Sequence, residues 1–163
     1  MTPPKADFLA ILTTLSAHKV DFIIVGGIAA ALQGAPIATF DLDLVHSRTS
    51  LNLERLLAAL RELEAFYRGQ RARKIEPTAG QLASPGPHLL LTVHGPLDLH
   101  GTIGAGRDYD LLLKSVDDVS VRARRFQVLG LSMLIESKEE AGREKDRAVL
   151  PILRRTLEER RKQ

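Results

Sequence analysis

Two aspartates one residue apart, Asp41 and Asp43, stand in the stretch Thr39-Phe-Asp-Leu-Asp-Leu-Val45. Period-two alternation of this kind reads as a strand, and residues i and i+2 of a strand share a side. The two carboxylates would therefore project together, with Phe40, Leu42 and Leu44 on the opposite side. Buried without a partner, each charge would cost several kcal/mol. A divalent cation between them removes the conflict, and hard oxygen ligands suit Mg2+ or Mn2+. A third aspartate, Asp98, lies in Pro96-Leu-Asp-Leu-His100, again between apolar residues of a strand-like segment. Three carboxylates on adjacent strands form a donor set for two ions, as transfer at phosphorus requires. Asp-Leu-Asp alone would be the polar face of a half-exposed strand; the third acid favours the metal reading. Upstream, Gly26 and Gly27 separate an apolar run from a helix-like one. Glycines there allow close backbone approach, and a helix N-terminus offers free N–H groups to phosphate oxygens. A tight strand–helix turn would also explain them.

The elements around these residues follow from periodicity and punctuation. Asp7 to Val20 places Phe8, Leu9, Ile11, Leu12 and Leu15 on one helical stripe. Asp21–Gly27 is a short strand ending in glycines, and Ile28–Gly34 is a helix of small residues with Gly34 as its stop. Ser50 is expected to cap a long helix through Leu51–Phe66. His88–Gly95 and Leu97–Ile103 read as strands joined by Gly95 and Pro96, with a loop over 75–87 before them. Val119–Gly130 reads as one further strand. Leu131–Arg161 gives two helices, broken or bent near Gly142 and kinked by Pro151. The expected fold is α/β (α+β), a small mixed β-sheet with helices packed on it. The whole of 1–163 is expected to be a single domain, with a core over about 7–128 and a C-terminal helical segment over 131–161.

Composition narrows the function classes. With no cysteine and no tryptophan, the chain has no disulfide, thiolate metal site or thiol nucleophile, and its core rests on Leu, Ile, Val and Ala. Neither a leader nor a membrane span is legible, which points to the cytoplasm. The net charge of +3 is mild and suits an anionic partner such as nucleotide or RNA. Much of it lies in Tyr67–Lys74 and Val121–Arg125, either solvated faces or surfaces for such a partner. The five histidines lack i,i+4 ligand spacing and read as structural or surface residues, with only His100 near a proposed site residue.

The strand, the Gly-Gly turn, the short helix and Asp-x-Asp, with thirteen residues (Ile28 to Phe40) between Gly27 and Asp41, resemble the nucleotidyltransferase superfamily of the polymerase-β-type fold. Gly34-Ala-Pro-Ile-Ala-Thr-Phe-Asp-Leu-Asp-Leu-Val45 is most similar to its minimal and AbiEii/MenA-like members, some of which are toxins of toxin–antitoxin systems. The C-terminal Ser137-Lys138 and Arg143-Glu-Lys-Asp146 also resemble that subgroup. Many relatives carry an arginine where this chain has Ile37.

The resemblance implies a polymerase-β-like nucleotidyltransferase fold and NMP transfer from an NTP, with pyrophosphate leaving. Asp41, Asp43 and Asp98 would hold Mg2+ or Mn2+, and Asp98 would help deprotonate an acceptor hydroxyl. Gly26, Gly27 and Thr39 would meet the triphosphate. Lys138, Arg143 and Lys145 would neutralise its charge, with Asp146 orienting a lysine; a surface helix paired with Glu139, Glu140 and Glu144 is the other reading of these cations. The implied partners are the nucleotide, a tRNA or small-molecule acceptor, and an antitoxin protein, with no membrane. A nucleotide- or RNA-binding module without turnover, or an antibiotic-modifying enzyme, is the alternative.

Overall fold

The computed structural model describes residues 6–69 and 73–163. Its centre is β1, Phe22–Val25, whose four β-branched or aromatic residues are all buried. A strand buried at every position must be covered on both faces, so the sheet is covered on both sides at β1. β1 is followed directly by α2, Gly26–Leu32, then by β2, Leu42–His46, which returns antiparallel to it. α1, Phe8–Ala17, precedes them and is capped by Asp7, whose Oδ1 accepts from Ala10 N–H at 3.0 Å.

Several expected boundaries move. The cap of α3, Ser50–Glu62, is Thr49, whose hydroxyl accepts from Asn52 N–H at 3.3 Å; Ser50 is already inside the helix. A two-residue strand, β3 (Phe66–Tyr67), follows, and the expected loop over 75–87 contains α4, Ala79–Leu82, started by a Thr78–Gln81 capping box. β4, His88–Thr92, and β5, Gly95–His100, pair antiparallel, with Thr92 opposite Gly95. The turn between them is therefore Val93-His94, and Gly95-Pro96 opens β5. A small ribbon, β6 (Thr102–Ile103) and β7 (Arg107–Asp108), leads to α5, Tyr109–Leu112.

The single strand expected over Val119–Gly130 is a hairpin: β8, Val116–Val121, and β9, Arg124–Leu129. Its turn residues, Arg122 and Ala123, both have positive φ, 48° and 68°, the mirror-image turn that suits strand twist. α6, Leu131–Ala141, ends at Gly142 in the left-handed region (φ 62°), and α7, Glu144–Arg161, follows. The expected break at Gly142 is thus a true helix terminus. Pro151 lies inside α7, which continues through it.

Among the described residues, seven strands form one mixed sheet in the order β3-β4-β5-β2-β1-β9-β8. β2 and β5 are parallel, as are β1 and β9. The core is built as composition requires, from Ile23, Ile24, Leu42, Leu44, Leu97, Leu99 and Val128 on the sheet and from Leu15, Leu56, Leu134 and Leu153 on the helices. Among the described residues, no helix is long and apolar enough to cross a membrane.

Candidate active site

Register brings the acids together. Asp43 pairs with Val25 at the end of β1 and with Asp98 across the parallel β2–β5 ladder. Residues matched in a ladder lie side by side, so both carboxylates leave the same face of the sheet. Asp41 differs from expectation: it lies just before β2 and is exposed. The period-two pattern therefore does not extend back to residue 40, and Phe40 is 84% exposed instead of facing the apolar side.

Each strand aspartate has a basic companion. His100 donates from Nε2 to Asp43 Oδ1 at 3.0 Å, and Arg68 donates from Nη2 to Asp98 Oδ1 at 2.6 Å. Asp98 is 7% exposed. Burial raises its carboxyl above the ordinary value; Arg68 opposes this, and the charges of Asp43 and Asp41 add to it. That both acids act on Asp98 reflects their closeness.

The glycines are required by what packs on them. Gly26 has φ 68°, and a Cβ there would stand 2.6 Å from Asp43 Oδ2. A Cβ on Gly27 would stand 2.7 Å from Thr39 Cβ. Asp43 and Thr39 therefore sit against the start of α2 only because neither glycine has a side chain. The Thr39 hydroxyl in turn donates to the Asp41 carbonyl at 3.3 Å, tying the segment before β2 to the same corner.

Across from this corner stand the cations of α6 and α7. Asp146 is 2% exposed and accepts from Arg143 Nε at 2.8 Å and from Lys138 Nζ at 3.5 Å. Burial works to raise the Asp146 carboxyl, but Arg143 and Lys138 outweigh it and hold the group below the ordinary carboxylate value. The helix break at Gly142 turns the chain so that Lys138, Arg143 and Lys145 reach one cleft without sharing a helix. That cleft, about 540 Å³ in volume, is lined by Gly26, Gly27, Thr39 and all three aspartates as well.

Arg68 is the cleft residue that sequence reasoning missed. It belongs to the basic stretch Tyr67–Lys74, of which residues 70–72 lie outside the described residues, and nothing in type or spacing separates it from the other basic residues there. Only the β3–β4 pairing, Tyr67 opposite Leu90, aims it inward. Ile37 packs against the core and does not stand among the acids.

Asp41 and Asp43 offer the hard oxygens that suit a divalent cation. As the side chains stand, no three acidic or histidine groups among the described residues are placed to share one ion. The donor chemistry fits a metal at Asp41 and Asp43, while Asp98 is engaged by Arg68.

No protein-family model matches the chain, and no curated protein matches it in sequence. Among solved structures it is similar to TM1012 of Thermotoga maritima, assigned as a nucleotidyltransferase, with TM-score 0.57 and 19% identity over 93% of each chain. It is also similar to the antibiotic-resistance factor ANT(2'')-Ia, with TM-score 0.62 and 14% identity over 92% of this chain and 82% of that one. At such identities the likeness is one of fold: the mixed sheet and its helices form the architecture of these nucleotidyltransferase-type structures.

Proposed function

We propose that the protein is a metal-dependent nucleotidyltransferase that moves an NMP from an NTP to a hydroxyl acceptor. The observation that carries this reading is the convergence of Asp41, Asp43 and Asp98 with Gly26, Gly27 and Lys138 on one cleft, in a fold similar to that of TM1012. Asp41 and Asp43 would hold Mg2+ or Mn2+, which supplies positive charge and alignment at the phosphates. The backbone at Gly26 and Gly27 receives phosphate oxygens, and Thr39 adds a hydroxyl beside it. Lys138, Arg143 and Lys145 balance the triphosphate charge. Asp98 takes the proton of the acceptor hydroxyl as its oxygen bonds to the α-phosphorus. The α–β bridging bond breaks, and its electron pair leaves with pyrophosphate. An NTP substrate is in keeping with a cytoplasmic site of action.

Changing Asp41 and Asp43 together to Asn should abolish labelled NMP transfer while thermal stability stays level or rises, because like-charge repulsion is relieved. Equal transfer by the double variant would end the reading. The acceptor is either RNA, in keeping with a tRNA-modifying toxin held by an antitoxin, or a small molecule, as the name of ANT(2'')-Ia suggests. RNA binding would weaken steeply across a salt series; small-molecule binding would barely change. Binding without turnover is the second reading, favoured by Ile37 in place of the family arginine. It predicts NTP binding in calorimetry with no transfer to any acceptor offered.

A further inference from the structure

Arg68 is held at three points. Its backbone N–H donates to the Leu89 carbonyl at 2.9 Å, Nη1 to the Leu90 carbonyl at 2.5 Å, and Nη2 to Asp98 at 2.6 Å. A guanidinium anchored to a strand backbone on one fork and to a carboxylate on the other is a fixed charge, not a swinging one. Asp98 in turn is buried enough that removing this partner would leave a costly unpaired charge. Any dication approaching Asp98 meets a permanent positive group already on its Oδ1.

We infer that Arg68 stands in for one of the two cations usual in such transfers, so that the site takes a single divalent ion on Asp41 and Asp43. The inference rests on the nucleotidyltransferase reading. It makes Arg68 a positioning residue: it holds Asp98 oriented as proton acceptor outside the metal's coordination. It also accounts for the lack of a three-ligand arrangement among the described residues. Asp43 and Asp98 each engage only Oδ1, and what separates them is the partner: an imidazole at Asp43, a guanidinium with a fixed charge at Asp98, while Asp41 is exposed.

Counting bound Mn2+ tests this. Equilibrium dialysis with a saturating NTP analogue that cannot be cleaved should find one Mn2+ per chain in the unaltered protein. Arg68→Ala should bind two, as should Arg68→Gln, which keeps a donor without the charge and carries the test should the alanine variant misfold. Arg68→Lys should bind one. Adding Asp98→Asn to Arg68→Gln should return the count to one. Two ions in the unaltered protein, or only one in a folded neutral variant, would overturn the role of Arg68 while leaving nucleotidyl transfer standing. No bound Mn2+ at all would instead overturn the metal-dependent reading itself.

Discussion

At the scale of single residues, the candidate site is decided by what has no side chain. Gly26 faces two constraints at once: a positive φ that an L-residue tolerates poorly, and a carboxylate oxygen where its Cβ would be. Gly27 faces only a steric constraint: a Cβ there would stand 2.7 Å from Thr39 Cβ, which no χ1 rotation moves, so the backbone before β2 would have to shift. Both Gly26→Ala and Gly27→Ala should therefore cost about 1–3 kcal/mol in denaturant unfolding. The chemical consequence should be larger than the stability one, because Gly26→Ala displaces Asp43 itself. Mn2+ titration should show weaker binding in Gly26→Ala than in Gly27→Ala. Equal affinity in the two would mean that the oxygen at Gly26 is not a ligand.

At the scale of elements, the cation side depends on a helix that stops. Gly142 ends α6 in the left-handed conformation, its N–H donating to the Lys138 carbonyl at 3.0 Å, and α7 restarts after Arg143. Asp146, in the first turn of α7, then lies where both Lys138 and Arg143 reach it. Asp146→Asn removes the charge that balances a mostly buried Lys138. The cost should be about 2 kcal/mol, below the usual figure for a broken buried pair because Arg143 is 61% exposed. With its two cations unanchored, the variant should raise KM for the NTP more than it lowers kcat. An unchanged KM would assign Asp146 to folding alone. These elements also show what periodicity can and cannot reveal. The alternation around Leu42–Leu44, the stripe of α1 and the glycine at 142 are local signals, and they located β2, the first helix and the final break. The β8–β9 hairpin was missed because its turn is Arg122-Ala123, with no Gly or Asn to mark two positive φ values. Residues 40 and 41 were misread as strand because alternation in sequence does not reveal where pairing begins. Arg68 was illegible for a different reason: β3 is two residues long, and its register with β4 is a tertiary fact.

At the scale of the whole molecule, acid stability depends on the histidines of β2 and β4. His46 is fully buried, and its Nε2 donates to the Leu82 carbonyl at 2.8 Å, which leaves Nδ1 unprotonated and without a partner. Burial lowers its pKa to about 4; the Leu82 carbonyl opposes this, and the nearby charges of His88 and Arg48 add to it. His88 is also lowered, chiefly by burial. An unfolded histidine titrates near 6.5, so between about pH 6.5 and 4 the unfolded chain binds a proton that folded His46 refuses. The stability contribution is intact above pH 6.5 and declines as pH falls, reaching a loss of about 3 kcal/mol near pH 4. Asp146, held below its ordinary value, adds a loss only under more acidic conditions. Asp98, held above its own, works in the opposite direction. His46→Gln keeps a donor for the Leu82 carbonyl and removes the titrating group. Chemical denaturation at a series of pH values should therefore give a shallower slope for this variant between pH 6.5 and 4 than for the unaltered protein. Parallel slopes would locate the acid sensitivity elsewhere in the molecule, with His88 the first group to replace.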